Sequence, residues 1–291
     1  MRHTAVVVSL LTVVLAACSR SPSLQIGSKN FTEQMILGEI LAQHLEARLG
    51  EPVGRRLHLG GTSMVHQALV NGAIDLYAEY TGTALKAILH LPSASDPAEA
   101  LTRVREEYRR RWQVEWVAPL GFGNTYTLVV NGDEARSRNL RTISDAVRRN
   151  SPWTLATQYE FALRDDGLPG LLKAYKLPIK GAPLTMHYGL LYQALTQRNV
   201  DMIAASATDG LLSSLDVQSL IDDKGFFPPY DAAIAVRTQA LQANPGLLAA
   251  LEELSGKISD QLMRRLNYEV DGKHRSTAEV AAEFLRNAQK P

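Results

Sequence analysis

Ile26-Gly27-Ser28-Lys29-Asn30-Phe31-Thr32-Glu33-Gln34 is a strand end that turns straight into a helix. Before it, Leu24-Gln25-Ile26 has the apolar character of a short strand. After it, Glu33 to Leu49 carries Ile36, Leu37, Ile40, Leu41, Leu45 and Leu49 on one helical face. Gly50 is placed to stop that helix. A strand that closes on small polar residues and feeds a helix leaves side chains and free backbone N–H groups at a ligand-facing edge.

Outward from this unit the same grammar continues. Arg55 to Leu59 is predicted as a strand, Thr62 to Val70 as a helix closed by Asn71-Gly72, and Ile74 to Ala78 as a strand. Strand and helix alternating at this spacing imply a parallel sheet. Pro97 to Gln113 follows as an amphipathic helix, then Val114 to Val117 and Tyr126 to Val130 as strands. Ile143 to Arg149, Gly167 to Tyr175 and Tyr188 to Gln197 are predicted helices, with Thr154 to Ala156 and Met202 to Ala205 as strands. The fold class is therefore α/β. Two such units facing each other would enclose a cleft lined by their polar strand ends. Those ends are Ser28-Lys29-Asn30, Gly60-Gly61-Thr62-Ser63, Glu79-Tyr80-Thr81-Gly82-Thr83, Asn124-Thr125-Tyr126 and Thr208-Asp209-Gly210.

The first residues set the expected compartment. Arg2 and His3 precede an apolar run, Ala5 to Leu15, and Leu15-Ala16-Ala17-Cys18 ends it as a lipoprotein signal would. That run is too short to span a bilayer of about 30 Å as a helix. Residues 1–17 are thus expected to be a signal peptide, Cys18 a lipidated residue and residues 18–23 a tether holding an exported domain at the membrane surface. An incidental cysteine after a plain secretory signal is the alternative. Cys18 is the single cysteine, so no intramolecular disulfide can form.

Lys plus Arg number 31 against 30 Asp plus Glu, which gives no field suited to nucleic acid. No two of the seven histidines sit at i, i+4 to chelate a metal, and no Gly-x-Ser-x-Gly elbow or phosphate-binding glycine loop occurs. No cofactor, metal or catalytic activity is expected, although an exported hydrolase with a dispersed site stays open.

Several segments together resemble the substrate-binding proteins of ABC importers for quaternary ammonium compatible solutes such as glycine betaine, choline and carnitine. They are Gly27 to Gln34, Asp75-Leu76-Tyr77-Ala78-Glu79-Tyr80-Thr81-Gly82-Thr83, Phe161 to Gly170 with its Arg164-Asp165-Asp166-Gly167-Leu168-Pro169-Gly170, Thr208-Asp209-Gly210, and Asp222 to Ala233 with its Phe226-Phe227-Pro228-Pro229-Tyr230. The resemblance implies a two-lobed Venus-flytrap fold, with lobe 1 at residues 24–120 plus 231–291 and lobe 2 at 121–230. It also implies a monomer that delivers its ligand to a membrane permease driven by an ATPase. A trimethylammonium group donates no hydrogen bond, so aromatic faces must hold it, each contributing about 0.5 to 2 kcal/mol. By resemblance Tyr80, Tyr126 and Tyr230 are cage walls, and Lys29, Thr83 and Arg164 hold the ligand's carboxylate with help from Thr62 or Gln34. Arg164 could instead pair with Asp165 or Asp166. The family's fourth tyrosine is replaced here by Ser206, which makes room for a bulkier ligand and leaves Tyr188 or Tyr159 to fill the gap. A different zwitterion, such as the larger betaine ergothioneine or an amino acid, is the alternative ligand.

Overall fold

The computed structural model describes residues 24–148 and 151–288, so Cys18 and its tether lie outside the described residues. Ten strands form two five-stranded sheets. β1 (Leu24–Gly27), β2 (Val53–Arg56), β3 (Leu76–Tyr80) and β4 (Val114–Val117) precede the first crossing between sheets. β5 (Tyr126–Asn131), β6 (Leu155–Thr157), β7 (Leu184–Thr185), β8 (Met202–Ser206) and β9 (Val217–Leu220) make the second sheet. β10 (Ala232–Arg237) returns the chain to the first. The strand orders are β2-β1-β3-β10-β4 and β7-β6-β8-β5-β9.

Both sheets are mixed, which corrects the expectation of parallel sheets. β1 runs parallel to β2 and β3, and β6 parallel to β7 and β8. β10 lies antiparallel between β3 and β4, and β5 antiparallel between β8 and β9. The antiparallel members are the strands that have just crossed from the other sheet. They enter without the helical crossover that forces parallel direction.

α1 (Thr32–Leu49) buries Ile36, Leu37, Ile40, Leu41 and Leu45 against the first sheet, as its spacing predicts. Gly50 ends it with φ +70°, where its N–H reaches Glu46 O at 3.1 Å. α2 (Thr62–Val70) puts Val65 and Leu69 on the sheet's other face with Tyr77 and Trp116. The second sheet likewise has one core on each face, around Trp153 and Phe161 and around Leu191 and Ile203. Each sheet is thus covered on both faces, leaving the strand ends free to line a cleft.

β2 begins and ends earlier than Arg55 to Leu59 because His58 takes a left-handed backbone, φ +61°. The chain past it still pairs with the first motif: Leu59 N reaches Ser28 O at 3.1 Å and Asn30 N reaches Gly60 O at 3.1 Å. This pairing sets Gly60-Gly61-Thr62 beside Ser28-Lys29-Asn30. Among the described residues no helix is long and apolar enough to cross a membrane.

Candidate functional site

A cleft of about 450 Å³ opens between the two sets of strand ends. Of the nine expected ligand-binding residues, Lys29, Thr62, Tyr80, Thr83, Tyr126, Arg164, Ser206 and Tyr230 line it. Gln34 does not. It stands behind the lining, where its Oε1 accepts the Lys29 N–H at 3.4 Å.

The tyrosines converge from three chain segments. Tyr80 ends β3, Tyr126 begins β5 and Tyr230 lies just before β10. Tyr126 and Tyr230 meet edge to face with ring centroids 5.7 Å apart, and Phe161 backs Tyr126 at 4.6 Å. Gly82 lets the Tyr230 segment come this close: a Cβ there would sit 2.6 Å from Pro229 O and 2.7 Å from Tyr230 Cδ1. Burial pushes the Tyr126 hydroxyl up to about 12 and those of Tyr80 and Tyr230 well above the ordinary phenol value. All three therefore stay neutral and offer π faces.

The two cations of the lining are held by the protein itself. Lys29 Nζ donates to Glu79 Oε1 at 2.6 Å, with both side chains buried, and lies 5.2 Å from the Tyr80 ring centroid. Arg164 grips Asp166 rather than Asp165, through Nε at 2.8 Å and also through Nη2. The Tyr230 hydroxyl donates to the same carboxylate at 2.6 Å. Arg164 thus braces Tyr230 through Asp166 instead of standing open in the cleft.

Ser206 lies at the end of β8, with its Oγ engaged by Asn124 and Thr208. The gap beside it is filled by Tyr188, whose hydroxyl accepts the Ser206 N–H at 3.2 Å and donates to Asp209. Tyr192 donates to the other Asp209 oxygen at 2.8 Å. Tyr159 is 69% exposed and only rims the cleft.

Glu33, quoted in the first motif but given no role there, is the hub of the site. Its buried carboxylate accepts from Tyr80 at 2.6 Å, Asn124 at 2.7 Å, Thr208 at 2.5 Å and Asn267 at 3.0 Å. Those donors come from the end of β3, from the segments just before β5 and just after β8, and from the helix Asp260–Asp271. Gly210 allows that helix to approach, since a Cβ there would run into the Tyr268 backbone. Asn267 has a legible signal, being a polar residue on the buried face with Met263 and Leu266. Burial raises the Glu33 pKa although the four hydrogen bonds pull it down, and burial also raises Asp209. A carboxyl whose folded pKa lies above its unfolded value near 4.5 contributes stability that is present below that value and is lost as pH rises through the folded one. Glu33→Gln, which cannot titrate, should therefore be most destabilising below pH 4.5 and progressively less so as pH rises above it in denaturant unfolding. A penalty that stays constant or grows with pH would contradict the assignment.

Glu160, also missed from sequence, reaches across the cleft mouth. Its Oε1 accepts the Thr62 N–H at 2.8 Å and its Oε2 the Thr62 hydroxyl at 3.3 Å, at the first turn of α2. This charge-assisted contact joins the two sides, so Glu160→Ala should raise the ligand off-rate roughly tenfold, about 1.4 kcal/mol, with the on-rate little changed. Stopped-flow dissociation checks this, and an unchanged off-rate would remove Glu160 from closure. Among the described residues no group of three or more His, Cys, Asp or Glu could hold a metal ion.

Comparison with known proteins gives the family of the chain. The family model described as the substrate binding domain of ABC-type glycine betaine transport systems matches residues 22–287. The carnitine transport binding protein OpuCC of Listeria monocytogenes is 36% identical over 270 residues, 92% of this chain and 87% of OpuCC. The ergothioneine transport permease/ergothioneine binding protein EgtU of Helicobacter pylori is 35% identical over 263 residues, 90% of this chain but 47% of EgtU. A crystal structure of a glycine betaine/carnitine/choline ABC transporter superposes with a TM-score of 0.77 at 31% identity, covering 91% of this chain and 98% of that one.

Proposed function

We propose that this chain, which belongs to the family of substrate-binding domains of ABC-type glycine betaine transport systems, captures a quaternary ammonium solute in the cleft and hands it to a membrane permease. The observation that carries the reading is the convergence of the buried Tyr80 and Tyr230 and the half-buried Tyr126 on one cleft between two sheets. Lobe 1 comprises residues 24–120 and 231–291 and lobe 2 residues 121–230, so the ligand bridges both and stabilises the closed form through the contacts it adds. Tyr188 serves as the fourth wall, from the helix Tyr188–Thr196 instead of from position 206. Thr83 and Thr62 supply neutral donors for a carboxylate or hydroxyl end, because Lys29 and Arg164 are committed to Glu79 and Asp166. The protein works as a monomer, without turnover, and its permease is driven by a cytoplasmic ATPase.

The test is a thermal-shift screen of the protein from Ser19 onward against glycine betaine, proline betaine, choline, carnitine, ergothioneine and free amino acids. A ligand at a hundredfold its dissociation constant should stabilise by about 2.7 kcal/mol. A response to amino acids alone would overturn the quaternary ammonium reading.

Export and anchoring rest on Leu15-Ala16-Ala17-Cys18. Acylation of Cys18 would tether the domain outside the cytoplasmic membrane, next to the permease. Metabolic labelling with a fatty acid should mark the natural protein and not Cys18→Ser. Label retained in the variant refutes the assignment.

A further inference from the structure

The helix Asp260–Asp271 belongs to one side of the cleft and holds on to the other. Its apolar face, with Met263 and Leu266, is buried in a core of the first sheet beside α1. Its first turn is pinned where the chain first crosses between the sheets, with Asp260 Oδ1 accepting the Gly123 N–H at 2.9 Å. Its polar face reaches the turn that follows β8 of the second sheet. Arg264 donates to Ala207 O from Nη2 at 2.8 Å and from Nε at 3.1 Å, and Asn267 Nδ2 donates to Thr208 O at 2.9 Å. Gly210 seats against the helix with no room for a side chain, since a Cβ there would sit 2.3 Å from Tyr268 N.

The turn itself is fixed to the second side. Ala207 N donates to Thr125 O at 2.9 Å, just ahead of β5, and Asp209 accepts from the hydroxyls of Tyr188 and Tyr192. A helix packed into one core cannot follow the opposite sheet when the two sides part, so opening must break the Arg264 and Asn267 contacts. Their acceptors are backbone carbonyls, and Arg264 stands outside the lining of the cleft. The bonds therefore form whichever solute sits among the tyrosines, and the charged donor makes the Arg264 pair the stronger one.

We infer that this helix is a latch on closure, with Arg264 as its positioning residue, and that it raises the affinity for every ligand alike while choosing none. The latch presupposes the two-lobed closure proposed above, whichever solute is bound. A cleft helped to close by the protein's own contacts has a larger binding-competent fraction, and the apparent dissociation constant falls in proportion.

Arg264→Ala should raise the dissociation constants of trimethylglycine and choline at least fivefold each in calorimetry and keep their ratio within twofold. It should also enlarge the radius of gyration of the ligand-free protein in small-angle X-ray scattering. Arg264→Lys, which keeps the charge and a donor, should recover part of both effects, and Gly210→Ala, which pushes the helix off the turn, should reproduce them. A loss confined to one ligand would place Arg264 against that ligand and overturn the latch. Unchanged constants and an unchanged radius in both Arg264→Ala and Gly210→Ala would overturn it too. If neither ligand binds the unaltered protein, the quaternary ammonium reading fails, and the radius of gyration of the ligand-free variants decides the latch by itself.

Discussion

Asp166→Ala should cost the protein about 3 to 5 kcal/mol of folding stability, because it strands a buried guanidinium. The side chains of Arg164 and Asp166 are only 11% and 4% exposed, and the carboxylate also takes the Tyr230 hydroxyl at 2.6 Å. Removing it therefore leaves one charge and one phenol without their acceptor. Asp165 is exposed one residue away, so Asp165→Ala controls for general effects on the loop and should stay within about 0.5 kcal/mol of the parent. Denaturant unfolding of the pair decides the matter. Equal, small losses would mean that Arg164 is not held by Asp166 in solution and is available to the ligand.

Tyr230→Ala should weaken any quaternary ammonium ligand by about 2 to 3 kcal/mol, on the order of a hundredfold, through lost burial and lost cation–π attraction together. The ring is 2% exposed and braces Tyr126 edge to face, so its loss also loosens a second wall. Tyr230→Phe keeps the ring and forfeits only the hydrogen bond to Asp166, so its cost should be about 1 kcal/mol. Calorimetric titration of both variants separates the two contributions. If Phe and Ala are equally damaging, the hydroxyl matters and the π face does not, and the cage is wrong.

The parts of this fold that were legible are those with local causes. Helix α1 announces itself by its apolar spacing and by Gly50, and the place of Tyr80, Tyr126 and Tyr230 in the cleft by the motifs around them. β10 was not placed as a strand, although Ala232 to Val236 is an unbroken apolar run, because its direction depends on where the chain returns from. The sequence motifs place Lys29 and Arg164 in the cleft but do not show all of their partners. Glu79 lies 50 residues from Lys29, a distance only the sheet closes. The Glu33 hub was hidden for the same reason: its donors at 80, 124, 208 and 267 share no sequence pattern. Burial of a carboxyl is a tertiary property, so neither its raised pKa nor its role in joining the two sheets could be read from a helix's first turn.

If the cleft recognises the methylated ammonium itself, a calorimetric comparison of trimethylglycine and choline with glycine and ethanolamine will show it. Removing the methyl groups keeps the charge and the other end of each ligand but turns a hydrogen-bond-free cation into a strongly hydrated donor. Saturable binding at one site for the methylated pair, weakened a hundredfold or more in the unmethylated pair, is the predicted result. Unmethylated ligands bound as tightly as their methylated counterparts would contradict it.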